Sequence, residues 1–478
     1  MTDVLVVGYG PAGAAAAIAA HDAGAEVLVV EKTAAGGGNA RYSGGFLFDA
    51  PDPDAAEHVD ALCFGRTPRD VIDAYVNGLH DLQPWLTALG GTIEAFGPDG
   101  VGFGGRFPAS FPSWPSFPAG KSIRYAVVGG GEGRRGEALW RLLDAAVRER
   151  GIRVEHETRA VALLHGSDTP APSDPPAPGD TPAPPAVTGA IVERDGERRR
   201  IAAPGGVILA CGGFEGDPGL ADAHLPLGPT TPVGHAANTG DGLRMAQDAG
   251  AALWHMYGFF GWFAFHAPGF AAPFAIDFYA PGHILVDADG RRFADETGFE
   301  VHDRLRSLST YLPHHANRPR LPTWAIFDDA TRRAGPLNGL LGTPNDHVWS
   351  ADNQAEIDAG WIVDARDAGL PHLAQTIETY NSYARAGSDP DFHRDPETLT
   401  PLEDKLYAIP TWPGVAGTTG GPRHDARARV LDHDGAPIPG LYAAGAVSLI
   451  WGHLIDHGGG LTDAMVFGRI AGEQAAAR

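Results

Sequence analysis

The stretch "VLVVGYGPAGAAAAIAAHDAGAEVLVVEK" occupies residues 4–32 and decides the fold. Its first four residues predict a buried strand, and the alanine-rich run after Gly10 predicts a helix, so three glycines fall in the turn between them. In such a turn Gly8 permits the sharp bend, Gly10 lets a pyrophosphate approach the backbone, and Gly13 lets the helix pack on the strand. The free N–H groups at the start of the helix attract the anion.

Glu31 ends the second strand that this stretch predicts. A carboxylate at that place accepts hydrogen bonds from both hydroxyls of an adenosine ribose. A glycine motif alone is weak evidence, because glycine-rich turns also serve ordinary packing. Strand, turn, helix, second strand and terminal acid together predict a bound dinucleotide.

The composition narrows the class of protein. The chain has 478 residues, with 36 basic and 59 acidic side chains and a net charge of −23, which predicts neither a nucleic acid nor an anionic membrane as a partner. No apolar run reaches the length of a membrane span and the first strand begins at the fourth residue, so we expect a cytoplasmic protein. Cys63 and Cys211 are the two cysteines, and no paired histidine spacing occurs, so no disulfide framework and no metal site are expected.

Changes in composition divide the chain. Residues 166–187 are rich in proline and lie between strand-like flanks, which predicts a loop at the tip of a hairpin; a functional tether is the alternative. Aromatic residues become frequent after residue 252. We therefore predict a first nucleotide-binding segment over 1–251, a second domain over 252–404, and a return to the first domain over 405–478.

Further glycine-rich turns follow the opening motif in a fixed order. They place small residues where a backbone can lie against a flat or anionic ligand. With their neighbours they read "SGG" at 43–45, "VILACGGF" at 207–214, "NTGDGLRMAQDAGA" at 238–251, "ILVDADGRRFADE" at 284–296, "TIETYNSYARAGSDPDFHRD" at 376–395, "TTGG" at 418–421 and "LTDAMVFGRIAG" at 461–472. Nearly the whole chain thereby resembles the fumarate reductase and 3-ketosteroid dehydrogenase flavoprotein superfamily.

The resemblance implies an α/β fold, a Rossmann-like FAD-binding domain with an inserted α+β substrate-capping domain, and non-covalent FAD. It implies that Ser43 and its two glycines pass near the isoalloxazine, that Asp241 helps hold the cofactor, and that the last helix begins near the flavin. The candidate cofactor-binding residues are Gly8, Gly10, Pro11, Ala12, Gly13, Glu31, Lys32, Gly38, Asn39, Ser43, Gly44, Gly45, Ala160, Cys211, Gly212, Gly213, Asp241, Gly445, Ala446, Leu461 and Thr462. Ala446 departs from the glutamate that the family often has there.

Three positions argue against a dicarboxylate substrate. The arginine, histidine and second arginine that fumarate reductases of this family use align with Glu300, Gly417 and Ile455. A dianion without cationic partners would lose its hydration uncompensated. Fumarate or succinate chemistry is therefore a weaker alternative.

The aromatic run instead suggests an apolar substrate. It resembles the cap that covers the substrate in the ketosteroid enzymes, and the alternative is that it forms the core of the cap itself. The seven aromatic residues that could wall such a pocket are Trp254, Tyr257, Phe259, Phe260, Trp262, Phe263 and Phe265.

Candidates for proton transfer come from the segment "WGHLIDHGGG". The tyrosine that polarises the ketone in the ketosteroid enzymes falls near Phe299, so its phenol is absent. His453, Asp456 and His457 lie in a glycine-rich turn where side chains can project over a ring, and histidine suits proton transfer near neutral pH. Two tyrosines, Tyr279 and Tyr42, are weaker candidates.

These observations predict an FAD-dependent oxidoreductase that moves hydride between flavin N5 and a carbon next to the carbonyl of a hydrophobic, cyclic ketone or enone. The substrate is then a hydrophobic small molecule, and the sequence does not identify the electron acceptor. A second glycine motif at Gly131, Gly133 and Gly136 leaves open an NAD(P)H-dependent flavin reductase. A non-catalytic flavin-binding protein is the remaining alternative.

Overall fold

The computed structural model describes residues 2–96, 114, 116–129, 135–166, 185–278, 280–297, 302–313, 317–338, 345 and 347–478. The strands among them are β1 Val4–Val7, β2 Val27–Val30, β3 Phe46–Asp49, β4 Ile93–Phe96, β5 Arg124–Val128, β6 Arg153–Glu155, β7 Arg159–His165, β8 Val187–Arg194, β9 Glu197–Ala202, β10 Gly206–Leu209, β11 Thr231–Pro232, β12 Leu253–Trp254, β13 Phe259–Phe265, β14 Phe274–Ile276, β15 His283–Val286, β16 Thr323–Asp328, β17 Val363–Asp364, β18 Leu406–Thr418, β19 Gly421–Pro422, β20 Arg429–Leu431 and β21 Pro437–Ala443. The α-helices are α1 Pro11–Asp22, α2 Ala55–Cys63, α3 Arg69–Ala88, α4 Arg135–Glu149, α5 Pro218–His224, α6 Asp241–Asp248, α7 Asp329–Ala334, α8 Gln354–Asp358, α9 Leu373–Ala386 and α10 Gly459–Ala476.

The first sheet has the order β20-β21-β10-β1-β2-β6. All its neighbouring strands run parallel except β20 and β21. The sequence "VLVV" occurs in both β1 and β2, and every one of these residues is buried, as expected for strands covered on both faces. The predicted strand, turn, helix and strand are thus confirmed as β1, α1 and β2 of a Rossmann-like sheet.

Helices α1 and α10 pack against each other with their backbones close together. The middle of α1 is almost entirely alanine and is buried all round. On α10, a Cβ added to Gly468 would lie 2.5 Å from the carbonyl oxygen of Ala12, and one added to Gly472 would lie 2.3 Å from that of Ala16. Small residues on both helices therefore permit the contact that places the middle of α10 against the first half of α1.

The second sheet has the order β14-β13-β18-β16-β15, with β11 and β17 also paired to β18. The 13-residue strand β18 forms its centre. Because β18 starts at Leu406, the segment predicted to return to the first domain begins with a strand of the second sheet. The domain boundaries remain a prediction, but the chain passes through the second sheet before it re-enters the first at β20 and β21.

The strands that flank the proline-rich segment pair antiparallel as β7 and β8, from Ala160 opposite Val192 to His165 opposite Val187. This confirms the predicted hairpin. The loop residues 167–184 lie outside the described residues.

The second glycine motif does not lie in a unit of the Rossmann type. The strand before it, β5, pairs antiparallel with β3 and β4 in a small separate sheet, whereas β6 after α4 belongs to the first sheet. Gly131 and Gly133 lie outside the described residues, and a Cβ on Gly136 would lie 2.1 Å from the carbonyl oxygen of Ala40. Gly136 therefore serves close packing against the first domain.

None of the helices in the described part of the chain is both long and apolar enough to cross a membrane. Within the same residues, no group of three or more His, Cys, Asp and Glu side chains is arranged to hold a metal ion. The cytoplasmic location remains a prediction.

Candidate functional site

A continuous cavity extends from the β1–α1 turn to the second sheet. At the turn, Gly8 has a φ of +102°, which residues with a side chain rarely adopt. A Cβ added to Gly13 would lie 2.0 Å from the carbonyl oxygen of Gly8. Gly8 and Gly10 line the cavity, whereas Gly13 does not. Gly10 differs from the other two because an added Cβ would lie 3.9 Å from the carbonyl oxygen of Gly37, at an ordinary contact distance. Gly8 and Gly13 thus shape the turn, while Gly10 leaves room for a ligand.

Glu31 lies at the end of β2 and lines the same cavity. Its carboxylate accepts hydrogen bonds from the backbone N–H of Tyr9 at 2.9 Å and from the backbone N–H and hydroxyl of Thr33 at 2.8 and 2.7 Å. A carboxylate has about four acceptor sites, so these three contacts orient it and leave about one site for a ribose hydroxyl, rather than for both hydroxyls as the sequence predicted.

Asp241 lines the cavity, but its carboxylate binds protein cations. It accepts from Arg159 at 2.7 Å and from Lys32 at 3.0 Å. Burial raises the pKa of Asp241, yet the hydrogen bond from Arg159 and the charge of Lys32 outweigh burial, so that pKa is lowered overall. Asp241 therefore holds two basic residues at the cavity edge, where they can meet an anionic ligand.

The far half of the cavity is lined by small residues at 43–45 and 445–446 and by the start of α10. Gly458 caps this helix in the left-handed conformation, and no side chain caps the first N–H groups. A helix N-terminus favours negative charge, which a reduced flavin carries near its pyrimidine edge. The predicted residues that line this half are Ser43, Gly44, Gly45, Gly445, Ala446 and Leu461. The space beside Gly10, the Glu31 carboxylate and the N-terminus of α10 suit the pyrophosphate, the ribose and the flavin of FAD.

Most of the other predicted cofactor residues also line the cavity: Pro11, Ala12, Lys32, Gly38, Asn39, Ala160, Cys211 and Gly212. Thr462 and Gly213 are not among the lining residues. Thr462 is fully buried and its hydroxyl bonds with the Tyr75 hydroxyl at 2.7 Å. A Cβ on Gly213 would lie 2.2 Å from Thr418 Oγ1, so this glycine packs against β18.

Of the seven aromatic candidates, Phe260 and Trp262 line the cavity. Phe259, Phe263 and Phe265 belong to the core of the second domain. The division follows from alternation along β13, whose successive side chains point to opposite faces. One face of β13 therefore lines the cavity and the other forms the core of the second domain, so both interpretations of the aromatic run apply. The remaining two aromatic candidates donate hydrogen bonds, Trp254 to the hydroxyl of Ser448 and Tyr257 to the carbonyl oxygen of Gly452.

The three candidates for proton transfer in the segment before α10 lie in different surroundings. His457 and Asp456 line the cavity. The Asp456 carboxylate lies 2.9 Å from His58 Nε2 and accepts from the Tyr125 hydroxyl at 2.6 Å and from the His457 backbone N–H at 2.8 Å. Asp456 is therefore engaged with protein groups and fixes the backbone of His457.

His453 is not among the lining residues. Its ring stacks on Phe64 with the centroids 4.4 Å apart, and its carbonyl accepts a hydrogen bond from Arg306. Burial, with the charges of Arg306 and Arg66, lowers the pKa of His453 to about 4. This environment does not suit a proton acceptor near neutral pH, and the structure therefore favours His457 over His453.

Of the two tyrosines considered for proton transfer, one lies in the described part of the chain. Tyr42 lines the cavity, with its ring 6.2 Å from that of His235. Tyr279 lies outside the described residues, as do Phe299 and Glu300. Of the other positions compared with fumarate reductases, Ile455 lines the cavity as an apolar residue, and a Cβ on Gly417 would lie 2.4 Å from the Phe260 ring.

Sequence reasoning missed two residues at this end of the cavity, His302 and Asp277. The His302 ring lies 4.6 Å from that of His457 and 4.5 Å from that of Trp262. Asp277 forms an ion pair with Arg304 at 3.6 Å, and burial raises its pKa although the Arg304 charge opposes this. The sequence hint for His302 was its position shortly after the family motif "RRFADE". Its proximity to His457 is visible only in the folded structure.

Comparisons with known proteins agree with this geometry. The sequence model of the family described as FAD binding domain matches residues 3–462. 4-Oxocyclohexanecarboxylate 2-dehydrogenase of Sinomonas cyclohexanicum is 29% identical, over 93% of this chain and 87% of that protein. 3-Oxosteroid 1-dehydrogenase of Mycolicibacterium smegmatis is also 29% identical, over 98% and 96%.

Among solved structures, 3-ketosteroid delta1-dehydrogenase from Sterolibacterium denitrificans superposes with a TM-score of 0.81 at 24% identity, over 100% of this chain and 99% of the other. This likeness confirms the fold. Fumarate reductases are also among the relatives, so the predicted superfamily resemblance is confirmed. The chain therefore belongs to the FAD binding domain family, and the predictions of FAD as cofactor and of an oxidoreductase acting on CH–CH bonds are confirmed.

Proposed function

We propose that this protein interconverts a hydrophobic, cyclic ketone and its enone, with hydride moving between FAD and the carbon β to the carbonyl group and a proton moving at the neighbouring α carbon. The observation that carries the proposal is the end of the cavity that Phe260, Trp262 and His457 all line, where the His302 ring lies 4.5 Å from that of Trp262 and 4.6 Å from that of His457. The relatives named for 4-oxocyclohexanecarboxylate and 3-oxosteroids act on cyclic ketones, which supports the same class here.

Each group at this end has a physical role in such a reaction. Bound FAD supplies the hydride acceptor or donor. The rings of Phe260 and Trp262 bind an apolar substrate and exclude water, which strengthens polar interactions inside the site. His457 exchanges a proton with the carbon next to the carbonyl, and its backbone hydrogen bond to Asp456 keeps it in place.

The test is reduction of the bound flavin by saturated cyclic ketones, followed by stopped-flow absorbance without oxygen, and the reverse reaction with cyclic enones and a reduced flavin. His457→Gln should lower the rate about 10²–10⁴-fold with FAD still bound. His433→Gln, on an exposed turn, is the matched control and should keep the wild-type rate. If no cyclic ketone or enone changes the oxidation state of the flavin in the wild-type protein, the proposal is wrong.

The alternative of an NAD(P)H-dependent flavin reductase has less support, because β5 and β6 lie in different sheets and Gly136 is packed. Anaerobic mixing with NADPH distinguishes the two. Rapid bleaching of the flavin by NADPH would favour the reductase.

A further inference from the structure

We propose that His302 is a second catalytic residue of this site, which donates an N–H hydrogen bond to the carbonyl oxygen of the substrate while His457 takes the neighbouring proton. The inference rests on the proposed function and extends it to a residue outside the segment before α10.

The chemistry needs two groups, one at the carbonyl oxygen and one at the hydrogen on the neighbouring carbon. Removal of a proton next to a ketone places negative charge on the oxygen, so a base at the carbon works well only with a hydrogen-bond donor at the oxygen. The carbonyl oxygen and the departing proton are bonded to two neighbouring carbon atoms, so the two groups act close together. Two imidazoles whose ring centres are 4.6 Å apart, with planes 69° apart, can reach both.

Both imidazoles lie at the same end of the cavity, beside Phe260 and Trp262. The rings that surround His457 include those of Phe46, Tyr125 and His302. Phe46 has no donor, and the Tyr125 hydroxyl donates to Asp456 at 2.6 Å. Among these three rings, the His302 imidazole is the one that both lines the cavity and carries an N–H group, which is the kind of donor that a carbonyl oxygen accepts.

The carboxyl groups nearby are suited to holding the site rather than to donating. Asp456 receives hydrogen bonds from Tyr125 and from the backbone of His457. Asp277 accepts from the backbone N–H of Phe278 at 2.9 Å and pairs with Arg304. Neither carboxylate, while ionised, can donate a hydrogen bond to a ketone.

The backbone is held at His302 and at the two residues that follow it. Its carbonyl accepts a hydrogen bond from the Gly261 N–H at 3.1 Å, at the irregularity in the pairing of β13 with β18. The next two residues form ion pairs, Asp303 with Arg306 at 2.6 Å and Arg304 with Asp277. These contacts fix the backbone from which the His302 side chain extends, and a fixed position favours a donor to a developing oxyanion.

The step balances without an oxidant. The carbon–hydrogen bond breaks, the proton goes to a ring nitrogen of His457, and the electron pair is delocalised onto the carbonyl oxygen, where the His302 N–H stabilises it. The reverse step returns a solvent-derived proton to carbon. In D₂O the ketone therefore gains deuterium next to its carbonyl even when no hydride is transferred.

The experiment measures this deuterium incorporation by NMR, using the FAD-loaded protein with a saturated cyclic ketone. His302→Phe, which removes the donor, should slow exchange about 10²-fold, and His302→Gln, which keeps an N–H, should retain more of it. His433→Gln is the control. Binding of 4-nitrophenol, an analogue of the enolate, gives a second readout by absorbance, and His302→Phe should bind its ionised form more weakly.

The outcomes separate the two proposals. Wild-type exchange that persists within twofold in His302→Phe, with unchanged nitrophenol binding, overturns the His302 assignment alone. Loss of exchange in Trp262→Phe but not in His302→Phe assigns the donor to the indole and also overturns it. A wild-type protein that neither exchanges nor oxidises any cyclic ketone refutes the proposed function and the His302 role with it.

Discussion

The first glycine turn allows a prediction in which two similar substitutions have opposite consequences. Gly10→Ala and Gly13→Ala each add one methyl group to the same turn. At Gly13 the added Cβ would lie 2.0 Å from the Gly8 carbonyl oxygen, so α1 must move away from β1. At Gly10 it would meet its nearest neighbour at 3.9 Å, and the backbone φ of −104° suits alanine.

The magnitudes follow from these distances. Overpacking at Gly13 should cost about 3 kcal/mol of unfolding free energy. For a chain of this length that lowers Tm by about 3–6 °C, since the shift per kcal/mol shrinks with size. Gly10→Ala should leave the apoprotein stable, but its methyl group occupies space that the pyrophosphate needs. Losing one charge-assisted hydrogen bond there costs about 1.5–3 kcal/mol, or about 10–100-fold in the Kd for FAD.

The assay is Tm of the apoprotein by circular dichroism together with FAD titration by flavin fluorescence. We expect a normal apoprotein Tm with weakened FAD binding for Gly10→Ala, and a lowered apoprotein Tm for Gly13→Ala. If Gly10→Ala binds FAD with wild-type affinity, the pyrophosphate does not lie against this turn. If Gly13→Ala keeps the wild-type Tm, the packing role argued for Gly13 is wrong.

Two further predictions concern Glu31 and His255. Glu31→Ala should weaken FAD binding by about 2–3 kcal/mol and also lower the Tm of the apoprotein, because the backbone N–H groups of Tyr9 and Thr33 lose their acceptor; full flavin content after dialysis would contradict the ribose role. Burial lowers the pKa of His255 to about 4, so below pH 6.5 the unfolded chain binds a proton that the folded chain does not, and stability falls by up to about 3 kcal/mol as the pH drops from 6.5 to 4. Tm measured over this range should fall less steeply in His255→Gln than in wild type or His433→Gln, and equal slopes would show that His255 is not responsible.

The sequence by itself determined the β1–α1–β2 unit of the first sheet and the part of the cofactor cavity that this unit forms. These features depend on neighbours in the chain: a strand, a turn of fixed glycine spacing and a helix place Gly8, Gly10 and Gly13 without help from distant residues. The acid at the end of β2 follows from the same short unit, because parallel strands end at the same edge of a sheet.

The substrate end depended on tertiary structure. Alternation along β13 decided which aromatic residues face the cavity, and the pairing of β13 with β18 decided which face that is. The histidine candidates show the same limit: His453 and His457 are four residues apart in one glycine-rich turn, yet one stacks outside on Phe64 and the other lines the cavity. His302 is 155 residues from its neighbour His457. No local periodicity encodes such a contact, because it arises only when the second sheet folds over the start of α10.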